Sequence, residues 1–343
     1  MKETLKKYGK RYFIDAMGAM ALGLFASLLI GTILKTLGQY TGLDFLGEIN
    51  TYAAGASGMA IGVAVAYALG ADPLVMYSCA AVGAIGYSLP TFFESIGRDL
   101  TAGPAGTFVA VIVACEVARL VSKKTKVDIL VTPTVTILVG YGVARLVCPA
   151  VSFVMYWLGE FINEATTMHP FLMGIIVSVA VGMILTLPIS SAAICAMIGI
   201  SGLAGGAATV GCCAQMVGFA VISFRENRWG GLVSQGLGTS MLQMGNICRK
   251  PLIWLPPTLA AAVCGPLSTM VFRLECEGVS AGMGTCGLVG PIGILAATAH
   301  TPAMWTGLLL LCFLAPALLS LLFNEILRRF GLIRTGDMAL NLS

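Results

Sequence analysis

Ala165–Phe224 reads ATTMHPFLMGIIVSVAVGMILTLPISSAAICAMIGISGLAGGAATVGCCAQMVGFAVISF, 60 residues without one Asp, Glu, Lys or Arg. Crossing a bilayer takes about 20 apolar residues. A soluble protein has too much surface to leave so long a stretch uncharged. Gly278–Asn324 repeats the pattern over 47 residues. Across the 343-residue chain only 10% of residues are charged, against roughly a quarter in a soluble domain. Mean hydropathy is +0.91. The chain reads as an all-α polytopic membrane protein, with its charge gathered where it meets water.

Outward from Ala165–Phe224, the apolar runs space themselves as spans. The first half offers Ala16–Leu34, Ile49–Leu69, Pro73–Leu89 and Pro104–Val121. A fifth run starts near Ile129 and continues to Leu158, carrying Arg145 and Pro149, and reads as a span followed by an interfacial helix. The polar connection Glu160–His169 separates the halves. Residues 1–160 are expected to form a scaffold and dimerisation half, and 161–343 a substrate-carrying half. In the second half, spans fall near Phe171–Leu187, Ser190–Leu203, Val210–Phe224, Leu252–Phe272 and Met304–Phe323. That makes about ten transmembrane helices.

Basic residues orient the spans. With the N-terminus in the cytoplasm, 15 of the 20 basic residues fall inside: Lys2, Lys6, Lys7, Lys10, Arg11, Lys123, Lys124, Lys126, Arg225, Arg228, Arg249, Lys250, Arg328, Arg329 and Arg334. Asp44, Glu48, Glu94, Asp99, Glu160, Glu164, Glu275 and Glu277 fall outside. The agreement requires Trp229–Cys248 and Gly278–Pro302 to return to the side they entered. The chain is therefore expected in the cell (inner) membrane, multi-pass, with both termini cytoplasmic and two re-entrant hairpins entering from opposite faces.

Composition excludes several functions. The net charge of +4 belongs to membrane edges, so nucleic-acid binding is not expected. The basic start precedes an apolar run too long for a signal peptide's core, so no cleaved leader is expected. There is no P-loop, HExxH or GxSxG with a plausible partner set. Most of the 11 cysteines lie inside apolar runs and read as packing residues rather than redox or metal chemistry. No cofactor and no metal are expected, and no enzymatic activity beyond that of a membrane component.

The two Gly-rich segments carry the strongest local signal. Gly278-Val-Ser-Ala-Gly-Met-Gly-Thr-Cys-Gly-Leu-Val-Gly-Pro-Ile-Gly293 is not what a lipid-facing helix would choose. Broken backbone at membrane depth survives where protein or a water cavity covers it, and transporters aim such half-helices at substrate. The alternative is a tightly packed glycine-rich helix. In Gly230–Cys248, Gln235, Thr239, Ser240, Gln243 and Asn246 supply amides and hydroxyls. These groups suit a neutral polyol or a carboxylate, or equally helix–helix hydrogen bonds. If a solute lies between the segments, Gln243, Asn246, Thr285 and His300 are the groups expected to touch it. Gly284 and Gly287 would give the backbone room to approach. The competing reading is that these side chains bond to one another or to freed backbone. Within the spans, Glu116 and Arg119 stand at i,i+3 and can pair; snorkelling toward the nearby cytoplasmic cluster accounts for them.

At these segments and at Lys126-Val-Asp-Ile-Leu-Val-Thr-Pro133, the chain resembles the second family of phosphotransferase-system IIC membrane components. That group includes membrane proteins described as toxin regulators. The resemblance covers about Ile14–Phe330. It implies a homodimer, a scaffold half, a substrate half with two hairpins, and sugar transport coupled to phosphorylation by a cytoplasmic IIB-like partner. One feature departs from it. Glucose-type IIC components carry an acidic residue before a proline in a hairpin, in a motif like Ile-Thr-Glu-Pro. The nearest features here, Asn246-Ile-Cys-Arg-Lys-Pro251 and Val289-Gly-Pro291, are not acidic. The leading expectation is a transporter of a small polar solute (a sugar, sugar acid or related molecule) in a lipid bilayer. The rivals are a membrane regulator or sensor on the same fold, and an ion-coupled transporter without a phosphotransferase partner.

Overall fold

The computed structural model describes residues 11–93 and 98–340. Lys2, Lys6, Lys7, Lys10 and Glu94 lie outside these residues. The chain divides into two compact units, residues 1–155 and 156–343.

In the first unit α1 (residues 11–41) alternates α-helix with π-helical turns at Arg11–Ala16 and Phe25–Leu29. Gly42, at φ +72°, ends it in a left-handed cap. Next come α2 (Asp44–Gly55), α3 (Ser57–Ala68), α4 (Pro73–Ser88) and α5 (Gly103–Val121). Pro73 and Pro104 sit in first turns, where a missing N–H costs nothing. Helices α3 and α4 meet through glycine: a Cβ on Gly58 or Gly62 would run into α4 backbone, whereas one on Gly55 would meet open space. Close approach of this kind replaces the hydrophobic drive that lipid cannot supply. Between α4 and α5 the sequence reading missed two short antiparallel strands, β1 (Pro90–Phe93) and β2 (Arg98–Thr101), with Pro90 opposite Thr101.

One end of this unit gathers charge. Glu116 pairs with Arg119 at 3.6 Å, as their spacing implies, and with Arg11 at 2.7 Å. Both arginines also donate to the Leu69 carbonyl, at 3.0 and 3.1 Å. Lys123 pairs with Asp72, and its hydrogen bond, with a second from Ser122, holds the Asp72 carboxyl below its ordinary value.

Helix α6 (Asp128–Thr166) leaves the first unit and ends in the second. It corrects the expectation of a span plus a separate interfacial helix. Its 39 residues form one helix through Pro133 and Pro149. At 1.5 Å per residue that is about 58 Å, well beyond a bilayer core of about 30 Å.

The second unit contains α7 (Pro170–Thr186), α8 (Ser191–Met197), α9 (Gly202–Ile222), α10 (Phe224–Val233), α11 (Met244–Arg249), α12 (Pro251–Phe272), α13 (Gly278–Ala281), α14 (Val289–Ala297) and α15 (Pro302–Arg329). Helix α9 is its axis and is buried almost throughout. Gln215, wholly buried on α9, accepts from Trp254 Nε1 and donates to Thr258 Oγ1, both at 3.1 Å, tying α9 to α12.

The all-α polytopic class holds. Among the described residues six helices are long and apolar enough to cross a membrane, or seven if α2 and α3, bent by 49°, form one span. Helices α4 and α7 are shorter apolar helices. The expected span Ser190–Leu203 is not a helix of that length. Its helical part is the seven-residue α8, and Gly199 and Gly202 both take positive φ. The extended stretch between them carries carbonyls at Ile200 and Gly202 that accept from Gly278 N (2.9 Å) and Cys276 N (3.2 Å). The freed backbone is thus paired by a second non-helical stretch.

Candidate functional site

Both Gly-rich segments fold back on themselves. The first descends as α10, passes through a π-helical turn at Ser234–Gly238, and breaks at Thr239, whose φ −159°, ψ 142° is extended. It returns through a 3₁₀ turn at Ser240–Gln243 and α11. The Thr239 hydroxyl caps the new turn by accepting from Met241 N at 3.2 Å. Asn227 on the entering arm and Gln243 on the returning arm both donate to one atom, the Met338 carbonyl oxygen, at 2.8 and 3.0 Å.

The second segment starts as the extended stretch that pairs with Ile200 and Gly202. It continues through α13, a 3₁₀ turn at Cys286–Leu288, and α14. Its two ends meet at Thr298, which accepts from Glu275 N at 2.8 Å and donates to the Glu275 carbonyl at 3.0 Å. Each segment thus brings its own two ends together.

The tips meet. The turn at Ser234–Gly238 packs against Cys286–Leu288 and lies on α9, while Gly284 and Thr285, just before Cys286, approach α9 at Cys212 and Met216. The surrounding polar groups are neutral. Ser240 Oγ and Thr186 Oγ1, at the end of α7, share a hydrogen bond of 2.8 Å. Ser191 Oγ donates to the Gly282 carbonyl at 2.7 Å. Thr285, fully buried, turns its hydroxyl to Met216 Sδ at 3.6 Å. Neither Trp229–Cys248 nor Gly278–Pro302 contains an Asp or Glu. Such a setting suits a neutral, hydroxyl-rich solute and supplies no carboxylate to accept a proton from it.

The second tip is held by backbone geometry. Gly284, Gly287 and Leu288 all take positive φ, at +54°, +52° and +61°. A Cβ on Gly284 would sit 2.8 Å from the Cys212 carbonyl carbon and 3.0 Å from Cys213 N, on α9. Glycine there is a steric requirement as well as a conformational one. Leu288 holds a conformation that costs a branched residue of order 1–2 kcal/mol, a strain typical of functional turns.

The residues expected to form one site occupy three places. Gly284, Thr285 and Gly287 share the second tip. Gln243 and Asn246 lie together on the first hairpin's returning arm. Asn246 Nδ2 donates to Gln243 Oε1 (2.8 Å) and to the Ala339 carbonyl (2.9 Å), and Gln243 Nε2 donates to Gln235 Oε1 (3.0 Å). This is the bonding among themselves and to backbone that the competing reading described. His300 is exposed, bonded to the Leu295 carbonyl at 2.9 Å and edge-on to Trp305. Sequence reading did not single out Thr186, Ser191, Asn227 or the C-terminal segment. Serine, threonine and asparagine in an apolar chain give no signal until their neighbours are known.

A family model described as phosphotransferase system, EIIC, matches residues 14–340. The chain belongs to the phosphotransferase system EIIC family. No curated protein matches the chain, and no solved structure matches it. In this EIIC family member the broken backbone and the neutral polar side chains converge on α9, at the two hairpin tips.

Proposed function

We propose that this protein is the permease component of a phosphotransferase-type system and carries a small polar solute past the junction of its two hairpins. The observation that supports it most is the meeting of Ser234–Gly238 with Cys286–Leu288 beside α9 in an EIIC family member. Thr186, Ser240 and Thr285 are fully buried hydroxyls beside that junction, and a sugar, sugar acid or related solute matches them. The functional protein is a homodimer in the cell inner membrane with cytoplasmic termini. Arg225, Arg228, Arg249 and Lys250 then form a basic face toward a IIB-like partner.

One observation favours a second reading, a membrane regulator on the same fold. Residues 229–248 and 278–302 contain no Asp or Glu, and the amide donors of Gln243 and Asn246 are engaged by the chain's own C-terminal segment. Without a proton acceptor, phosphoryl transfer to a sugar hydroxyl loses a usual aid.

A thermal-shift screen of the detergent-purified protein with sugars, sugar acids, polyols and small anions separates the two. A ligand at 100 times its Kd stabilises by about 2.7 kcal/mol. The transport reading expects at least one stabilising solute whose effect is lost in Thr285→Ala or Ser240→Ala. No stabilisation by any solute class, together with retained binding of a partner protein, would establish the regulatory reading instead.

A further inference from the structure

The segment after α15 is held by the first hairpin as a bound peptide would be. Ile333 and Met338 are buried to 2% and 0% exposure. Met338 N donates to Glu226 Oε2 at 2.8 Å. Asn227 reads the backbone on both sides of Ala339, donating to the Met338 carbonyl and accepting from Leu340 N, each at 2.8 Å. Gln243 and Asn246 donate to the Met338 and Ala339 carbonyls. Lys250 Nζ meets Asp337 Oδ2 at 2.6 Å. An adjacent β-strand would make similar main-chain contacts; here side-chain amides make them.

The five receptor side chains come from both arms of the hairpin. Glu226 and Asn227 enter; Gln243, Asn246 and Lys250 return. Four residues of tail therefore staple the two arms at their base. The receptor is itself braced: the Glu226 side chain, 3% exposed, pairs with Arg328 of α15 at 3.2 Å. Directly after Asn227 the entering arm kinks at Arg228, whose φ +51°, ψ −150° is hard for any residue but glycine. The staple closes over a strained hinge.

We infer that the base of the first hairpin is a peptide-binding site whose resident ligand is the chain's own Asp337–Leu340, and that release of this segment frees the hairpin to move. The ligand class is an extended peptide with an acidic residue followed by a long apolar one. Main-chain contacts supply affinity. The Met338 pocket and the Asp337–Lys250 pair supply selectivity. The site stands independently of the solute reading; only the consequence for transport rests on it.

The test uses protein truncated after Arg334 and a fluorescent peptide of residues 331–343, with no solute present. Saturable binding is expected. Met338→Asp in the peptide, or Asn227→Ala in the protein, should weaken it at least about tenfold, the factor carried by one or two such contacts. Lys250→Asp protein should prefer the Asp337→Lys peptide. A folded truncated protein that binds no peptide would overturn the inference. Full-length Met338→Asp covers the case in which truncation prevents folding. Its amide exchange should quicken over residues 226–249 and stay unchanged in α7 and α12. Unchanged exchange at the hairpin, or an equal rise everywhere, would refute the staple. Solute binding is scored in the separate thermal-shift screen, so either idea can fail alone.

Discussion

The two hairpins close by different physics. The second is sealed within itself: the Thr298 hydroxyl bridges to the Glu275 backbone, three positive-φ positions shape the tip, and Gly284 lies against α9 main chain. The first is sealed by a segment more than 80 residues away in sequence, through side chains that can let go. A close-packed backbone has one arrangement, because no smaller side chain remains to yield. A set of hydrogen bonds and one ion pair, each worth about 0.5–1.5 kcal/mol net, can be exchanged for water at modest cost. The second hairpin is the fixed wall of the junction and the first is the movable one.

Gly284→Leu attacks the fixed wall and carries the largest effect. Overpacking costs about 1–3 kcal/mol and the left-handed backbone about 1–2 more. We expect loss of the folded species in size-exclusion chromatography and melting. A Gly284→Leu protein that melts like the parent would remove the contrast altogether. Met338→Asp attacks the movable hairpin. Removing a buried methionine costs about 1.5–3 kcal/mol, and amide exchange should localise the loss to residues 226–249.

Thr298→Ala opens the base of the second hairpin and should cost about 1 kcal/mol, with exchange rising at Glu275 and neighbouring amides. Arg228→Gly relieves the strained hinge and should raise the melting midpoint, by an amount worth about 1 kcal/mol. A fall in the midpoint would show that the Arg228 side chain, not its backbone, matters at that place.

The smallest effect is set by pH. Partial burial pushes the Asp337 carboxyl up, but hydrogen bonds from Lys250 and Arg334 N and their positive charges outweigh it, so it lies below its ordinary value. A carboxyl depressed on folding adds stability above its unfolded value, about 3.9, and loses it as pH falls through the folded value. Exchange in the first hairpin should therefore quicken below about pH 4 while the second hairpin stays unchanged. Asp337→Asn should remove this dependence; its persistence would assign the effect to another group.

Much of this was written in the sequence in one dimension. The charge-free runs gave the membrane class, and glycine density located both breaks, because backbone that cannot stay helical in lipid must be built from residues that tolerate it. Proline placed helix starts at Pro73 and Pro104. The expected span Ser190–Leu203 failed for a reason the same residues contain. Gly199 and Gly202 break the helix, yet an apolar average over the window conceals it.

The site was less legible. Gln243 and Asn246 were expected to touch a solute, and the structure bonds them to one another and to the C-terminal segment instead; hydrogen-bond capacity does not reveal its partner. Only the tertiary structure brought Met338 and Ala339 to these amides, Thr186 to Ser240, and Ser191 to Gly282. Hydropathy and glycine content are local properties summed along the chain, so sequence by itself determined that the protein is a helical membrane protein with two broken segments. Which acceptor satisfies which buried donor depends on contacts across 54 to 111 residues of sequence. That closure, and with it the difference between a fixed hairpin and a stapled one, was decided by the fold.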